Sequence, residues 1–113
     1  MKKVYFLKTC DTCRRILNEV NTDGFEQQEI KSNPITDSQL EEMYSFTQSY
    51  EALFNKRARK YIEIKDQIVS EKDFRKSILE EYTFLKRPVF IVDDEIFVGN
   101  SKKVIEQLQA KAE

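Results

Sequence analysis

At 113 residues, 35% charged and 40% hydrophobic, the chain fits one domain, and its eight Phe and five Tyr supply a core without a lattice of disulfides. Nineteen basic residues against twenty acidic ones leave a net charge of -1, which offers a polyanion no bulk attraction. The absence of histidine excludes Cys-His and Ser-His-Asp nucleophile systems as usually built, and two cysteines are too few to close a tetrahedral zinc site, so no metal is expected.

Met1-Lys2-Lys3 is followed by only four apolar residues before Lys8, far short of a targeting signal or a membrane span, so the cytoplasm is the expected compartment and no membrane partner is expected. Val4-Tyr5-Phe6-Leu7 has the composition of a strand. After it, Cys13, Ile16, Leu17 and Val20 have the i, i+3, i+4, i+7 spacing of an amphipathic helix, which is expected to close near Gly24. Phe25 to Ile30 is expected to return as a strand. Its centre is Glu-Gln-Gln-Glu, so this assignment rests on connectivity, strand-helix-strand making a parallel βαβ unit. From Pro34 the pattern turns helical. Thr36 and Gln39 have capping-box spacing ahead of Leu40, Met43, Tyr44 and Thr47, a short helix is expected around Tyr50 to Phe54, and Ser70 and Asp73 announce another with Phe74, Ile78, Leu79 and Tyr82 on one face. Arg87-Pro88 opens a hairpin of Val89-Phe90-Ile91-Val92 and Ile96-Phe97-Val98 around Asp93-Asp94, and Asn100 or Ser101 caps a last helix through Val104, Ile105 and Leu108. The expected architecture is α/β, a single domain over 1–113 with the order βαβ, a helical insertion over about 34–84, then ββα.

Cys10-Asp11-Thr12-Cys13 falls where the first strand gives way to the first helix. Unpaired N–H groups and the positive end of the helix dipole stabilise a thiolate there, and Arg14 or Arg15 can bring a guanidinium to the same spot. Cys13 is one turn on and shares the apolar face with Ile16, Leu17 and Val20. Cys10 is therefore assigned as nucleophile and Cys13 as the more buried, resolving thiol. The competing readings are two inert core thiols, a structural disulfide, or a metal bridged between chains. A four-residue disulfide loop is a poor staple, contributing roughly 2 kcal/mol on chain-entropy grounds.

Arg87-Pro88 reads either as a solvated start to a strand or as a functional junction. In a βαβ…ββα sheet it lies beside the first βα turn and faces Cys10, where a cis bond would expose backbone to a substrate and bring a guanidinium toward an anion. Lys56-Arg57-Ala58-Arg59-Lys60 reads as a solvated basic segment or as a docking surface for an acidic protein or a small anion. Direct nucleic-acid binding is not expected, because no second basic stretch interleaves with aromatics.

The runs Phe6 to Arg15, Glu51 to Arg57, Leu85 to Val92 and Val98-Gly99 together resemble the ArsC/Spx/YffB family across essentially the whole chain. The resemblance implies a thioredoxin-like fold with a four-stranded mixed sheet and an inserted helical segment, a cis proline at Pro88, and Cys10 as the active thiol. It also implies that Arg14 and Arg87 help to hold an oxyanion or thiolate. Two features depart from the arsenate reductases of this family. Asn55 and Gly99-Asn100 stand where those enzymes carry arginines, with Arg57 as the nearest substitute, and Cys13 gives the Cys-x-x-Cys-Arg run of Spx.

The function expected from these features is a thiol-dependent reductase with Cys10, Cys13 and Arg87 as catalytic residues and Thr12, Arg14, Arg57 and Pro88 binding the substrate. That substrate is a small oxyanion or a disulfide, arsenate among them by resemblance. Glutathione or glutaredoxin is the expected partner, glutathione as co-substrate, with no tightly bound cofactor. The alternative is an Spx-like redox-sensing regulator that binds RNA polymerase through a CxxC switch.

Overall fold

A computed structural model describes residues 1–112. By its internal packing the chain divides into two units: Met1–Asn33 together with the chain from Arg87 onward, and the segment Pro34–Lys86.

The first unit is built on a sheet of four strands, β1 (Lys2–Phe6), β2 (Glu26–Glu29), β3 (Val89–Val92) and β4 (Glu95–Val98), in the order β2-β1-β3-β4. β1 runs parallel to β2 with Phe6 opposite Glu29, and antiparallel to β3 with Val4 opposite Phe90; β3 pairs antiparallel with β4. The mixed sheet and the βαβ…ββα order make this the thioredoxin-like fold that the resemblance implied. All four residues of β3 and three consecutive residues of β1 are buried, as central strands covered on both faces require.

β1 begins two residues earlier than its apolar run suggests. The two lysines are accommodated, Lys2 over the Phe25 ring and Lys3 by the Glu26 carboxylate at 3.2 Å and by the Tyr5 ring, and the Asp93 N–H donates to the Met1 carbonyl at 2.7 Å to close the end of the ladder.

Helix α1 (Asp11–Glu19) ends short of the expected glycine. Val20 is already extended, and its N–H makes the last helical bond, to Ile16. Gly24, at φ +81°, serves instead the separate turn in which the Phe25 N–H donates to the Thr22 carbonyl. Ile16 and Val20 pack with Val4, Phe25, Phe90, Val92, Phe97 and Leu108 into the core, where the Phe25 and Phe90 rings meet edge to face at 5.6 Å. Leu108 belongs to α5 (Lys102–Ala112), and of its two candidate caps Ser101 takes the role, its Oγ accepting from the Val104 N–H at 3.2 Å.

The second unit carries helices α2 (Asp37–Thr47), α3 (Tyr61–Ile64) and α4 (Glu71–Glu80). Thr36 and Gln39 close the capping box in both directions, at 3.1 and 3.0 Å. The short helix expected around Tyr50 is a single 3-10 turn, Glu51–Leu53, because Phe54 turns extended and bridges Leu85, with Asn55 N–H on the Phe84 carbonyl and Lys86 N–H on the Leu53 carbonyl. Tyr82, expected on the face of α4, lies beyond its end in a further 3-10 turn, Tyr82–Phe84. Neither α3 nor that turn was visible in the periodicity. The core of this unit is the Phe54 ring, 1% exposed, packed against Tyr61, Phe74 and Phe84 with centroids 5.3, 5.0 and 5.0 Å away.

Candidate active site at the start of helix α1

After β1 the chain makes one tight turn, closed by the Cys10 N–H on the Leu7 carbonyl at 3.1 Å, and Cys10 becomes the N-cap of α1. Its carbonyl takes the first helical bond, from Arg14 N–H, while its thiol projects half-buried at the helix N-terminus. The Cys13 N–H interacts with this sulfur without closing a full capping bond.

The two thiols are driven in opposite directions. Burial pushes the Cys10 thiol up, but the N–H and thiol of Cys13 and the charge and hydrogen bonding of Arg87 more than offset it, so its pKa falls below the ordinary value. Cys13 is fully buried, and its pKa is pushed up to about 12, chiefly by that burial and further by hydrogen bonding and charge from Cys10; the Leu7 backbone and Arg87 act against it. The arrangement sets a thiol that ionises more readily than usual, Cys10, beside one that stays protonated, Cys13.

Arg87 therefore belongs to this site through its interaction with both sulfurs, and it comes from the far end of the first unit's sequence. It is half-buried, and it is joined by a cis peptide bond to buried Pro88, at the start of β3. The Pro88 carbonyl is held by the Gly99 N–H at 3.0 Å, and Gly99 takes a positive φ of +87° to reach it.

The remaining predicted residues are placed differently. Thr12 is half-buried in the first turn of α1, next to Cys13. Arg14 is exposed and pairs with Asp11 on its own helix, while the Arg87 charge acts on Cys10. Arg57 is exposed in the second unit, in a turn where Asn55 Oδ1 accepts the Arg57 N–H at 3.1 Å and Asn55 Nδ2 donates to the Thr83 carbonyl at 3.3 Å. Asn55 is thus a turn-forming residue. In the basic segment, Lys56 pairs with Glu51 and Lys60 with Glu81, while among the described residues no carboxylate pairs with Arg57 or Arg59.

A residue that the sequence did not single out stands at the other side of the Cys10 turn. Glu29, the last residue of β2, accepts from the Lys8 N–H at 2.9 Å, from the N–H groups of Lys31 and Ser32 at 3.0 and 2.8 Å, and from Ser32 Oγ at 2.9 Å. Partial burial acts against the charge, but these donors hold its carboxyl below the usual carboxylate range. One glutamate among many in a polar strand carries no sequence signal for such a role. No three His, Cys, Asp or Glu side chains gather as a metal site among the described residues, and none of their helices is long and apolar enough to cross a membrane.

The ArsC family model matches residues 5–108. Among solved structures, the chain is similar to a possible arsenate reductase from Streptococcus mutans, at 22% identity and a TM-score of 0.73 over 96% of this chain and 97% of that one. It is also similar to an arsenate reductase (ArsC) related protein from Brucella melitensis, at 20% identity and a TM-score of 0.70 over 94% and 92%. An arsenate reductase from Vibrio cholerae matches at 17% identity and a TM-score of 0.72 over 95% and 93%. At these identities the likeness establishes the fold. A comparison with curated proteins gave no match.

Proposed function

From the premise that the chain belongs to the ArsC family, we propose that it is a cytoplasmic thiol-dependent reductase in which Cys10 attacks an oxidised substrate and Cys13 or glutathione resolves the adduct. The observation that carries this reading is the pairing of Cys10, at a helix N-terminus and within reach of Arg87, with a buried thiol one turn away.

On a disulfide, the Cys10 thiolate attacks one sulfur, the substrate S–S bond breaks, and the departing thiolate takes a proton from water. Cys13 then gives up its proton and attacks Cys10 Sγ, forming the Cys10–Cys13 disulfide and releasing the second substrate thiol. Two thiols of glutathione, or a glutaredoxin, return the pair to the reduced state. On arsenate, the thiolate displaces one hydroxyl group, which takes a proton from solvent and leaves as water as the S–As(V) bond forms. A second thiol, Cys13 or glutathione, then attacks Cys10 sulfur, making a disulfide while the electron pair of the S–As bond leaves with arsenic as arsenite. Arg87 is the cation that meets the oxyanion or the developing thiolate, Pro88 presents the adjoining backbone, and Thr12 lines the first turn. Arg14 would bind substrate by giving up its pairing with Asp11, and Arg57 is the further cation this reading assigns to the substrate.

A turnover assay tests this reading: wild type, Cys10→Ser and Cys13→Ser with glutathione and glutaredoxin, against arsenate and against a model disulfide. Turnover is expected in wild type and lost in Cys10→Ser. Activity that survives Cys10→Ser refutes the site.

A second reading, a redox-sensing regulator that binds RNA polymerase, draws on the same cysteine pair and on Arg57 and Arg59, exposed cations that pair with no carboxylate among the described residues. It requires retention on polymerase to differ between the reduced and oxidised protein, and equal retention defeats it.

A further inference from the structure

The turn that presents Cys10 is short, and its hold on the sheet is specific. The parallel ladder between β1 and β2 has Phe6 opposite Glu29, and its next bond runs from the Ile30 N–H to the Phe6 carbonyl at 2.9 Å. The following donor on the β1 side is the Lys8 N–H. A continuing β2 would meet it with a backbone carbonyl, but the chain turns away at this point, the Asn33 N–H donating to the Glu29 carbonyl at 3.0 Å and Gln28 Nε2 to the Asn33 carbonyl at 2.9 Å. The Glu29 side chain takes the place of the missing acceptor. Its Oε2 holds the Lys8 N–H, and its Oε1 gathers the Lys31 N–H, the Ser32 N–H and Ser32 Oγ. Two residues past Lys8, the Cys10 N–H is fixed to Leu7, so a single carboxylate ties the turn that carries the thiol to the turn that ends β2.

We propose that Glu29 is a positioning residue for Cys10: by bonding the Lys8 N–H and the Lys31–Ser32 turn at once, its carboxylate fixes the β1–α1 turn so that Cys10 Sγ meets Cys13 and the Arg87 guanidinium. The proposal rests on Cys10 being the reactive thiol.

The chemistry requires a carboxylate rather than any acceptor. All four partners are donors, shared between two oxygens. A glutamine has one acceptor oxygen and an NH2 group, so it can hold one side of the bridge while opposing donors face its nitrogen. The sign of the effect also separates positioning from simple charge. A negative charge near a thiol disfavours the thiolate, so removing Glu29 as a mere charge would lower the Cys10 pKa, whereas loosening the turn removes Cys10 from its stabilising partners and raises it.

The test is the rate of Cys10 alkylation by iodoacetamide as a function of pH, in the full-length reduced protein, for wild type, Glu29→Gln and Glu29→Ala. Cys10 and Cys13 are read separately by peptide mass spectrometry, and the fold is followed by far-UV circular dichroism. The expected result is an upward shift of the Cys10 profile in both variants, seen as alkylation at mildly acidic pH that is roughly 3-fold slower in Glu29→Gln and roughly 10-fold slower in Glu29→Ala, each tenfold being one pKa unit. Cys13 stays unlabelled. A Cys10 profile that is unchanged or shifted downward in a folded variant overturns the proposal. So does loss of the fold in both variants, with Cys13 labelled as readily as Cys10, since Glu29 would then hold the fold rather than the thiol. If only Glu29→Ala unfolds, Glu29→Gln decides. A wild-type Cys10 that titrates near the free value of ~8.5 defeats the reductase reading itself; a lowered wild-type value that the variants leave unchanged defeats the role of Glu29 alone.

Discussion

Replacing Arg87 with methionine removes the arginine charge that lowers the Cys10 pKa while keeping an unbranched side chain of similar reach. A hydrogen bond to a charged group is worth about 1.5–3 kcal/mol when well shielded. Cys10 is half-buried, so solvent screening brings this down to about 1.4 kcal/mol, which is a tenfold loss of thiolate at pH well below the Cys10 pKa. Cys13 provides the internal reference. With its pKa pushed up to about 12, about one Cys13 in ten thousand is ionised at pH 8, so the native protein should be labelled almost only at Cys10. The assay is competitive alkylation over a range of pH with each cysteine read separately. In Arg87→Met, Cys10 labelling on the acid side of the wild-type profile should fall about tenfold and Cys13 should stay silent. Wild-type labelling of Cys10 in the variant would refute the idea that Arg87 activates this thiol, and fast labelling of Cys13 in the native wild type would refute the asymmetry between the two sulfurs.

Cys13 also shapes stability in alkali. Its folded pKa of about 12 lies above the ordinary 9.0, so its contribution is fully present below pH 9 and is lost as pH rises toward 12. Between pH 8 and 10 urea titrations should show about 1.4 kcal/mol more loss in wild type than in Cys13→Ser, and equal losses would contradict the burial of a neutral thiol. In the second unit, Phe54→Ala empties the centre of three ring contacts and should cost about 3–5 kcal/mol, read from the midpoint of unfolding; a cost below ~1 kcal/mol would mean that Phe54 is not its core. Asn55→Ala loses the bonds to the Arg57 N–H and the Thr83 carbonyl and should lower the thermal midpoint by about 4 °C, for ~1 kcal/mol in a chain of this size, with no change in Cys10 alkylation.

Three strands, the first and last helices and the cysteine site were legible because local signals and global order agree there, while β2, with its Glu-Gln-Gln-Glu sequence, was legible from connectivity alone. Val89 to Val92 are continuously apolar as a central strand must be, and Cys10 precedes a run with clear helical period. The misreadings have physical causes. Gly24 looked like a helix cap, but Val20, four residues earlier, is already extended with its side chain in the core, and the glycine serves a later turn. Tyr50 to Phe54 has helical composition, yet the bridge from Phe54 to Leu85 pulls the chain extended, a tertiary contact that no window of sequence displays. Arg14 was near Cys10 in sequence, but its guanidinium has Asp11 three residues before it on the same helix, while Arg87, 77 positions from Cys10, arrives through strand order. Glu29 was invisible for a related reason: its partners are backbone N–H groups, which every residue carries and no sequence pattern marks.

The order of the proposed reaction follows from the way the two sulfurs act on each other. In the reduced protein the charge and hydrogen bonding of Cys10 help to keep Cys13 protonated, while Arg87 and the Leu7 backbone pull the other way. Once Cys10 sulfur is bonded to substrate it carries no charge. Two of the influences that raise the Cys13 pKa then vanish, and the Arg87 charge is left to act on Cys13 alone. The resolving thiol is therefore restrained until the adduct exists and eased toward ionisation by its formation, with no histidine needed as base. Cys10→Ser imitates the neutral partner: Cys13 in that variant should be alkylated faster in mild alkali than Cys13 in wild type, at unchanged thermal stability. Equal rates would mean that burial alone holds Cys13, and that the sequence of attack and resolution is set by access rather than by charge.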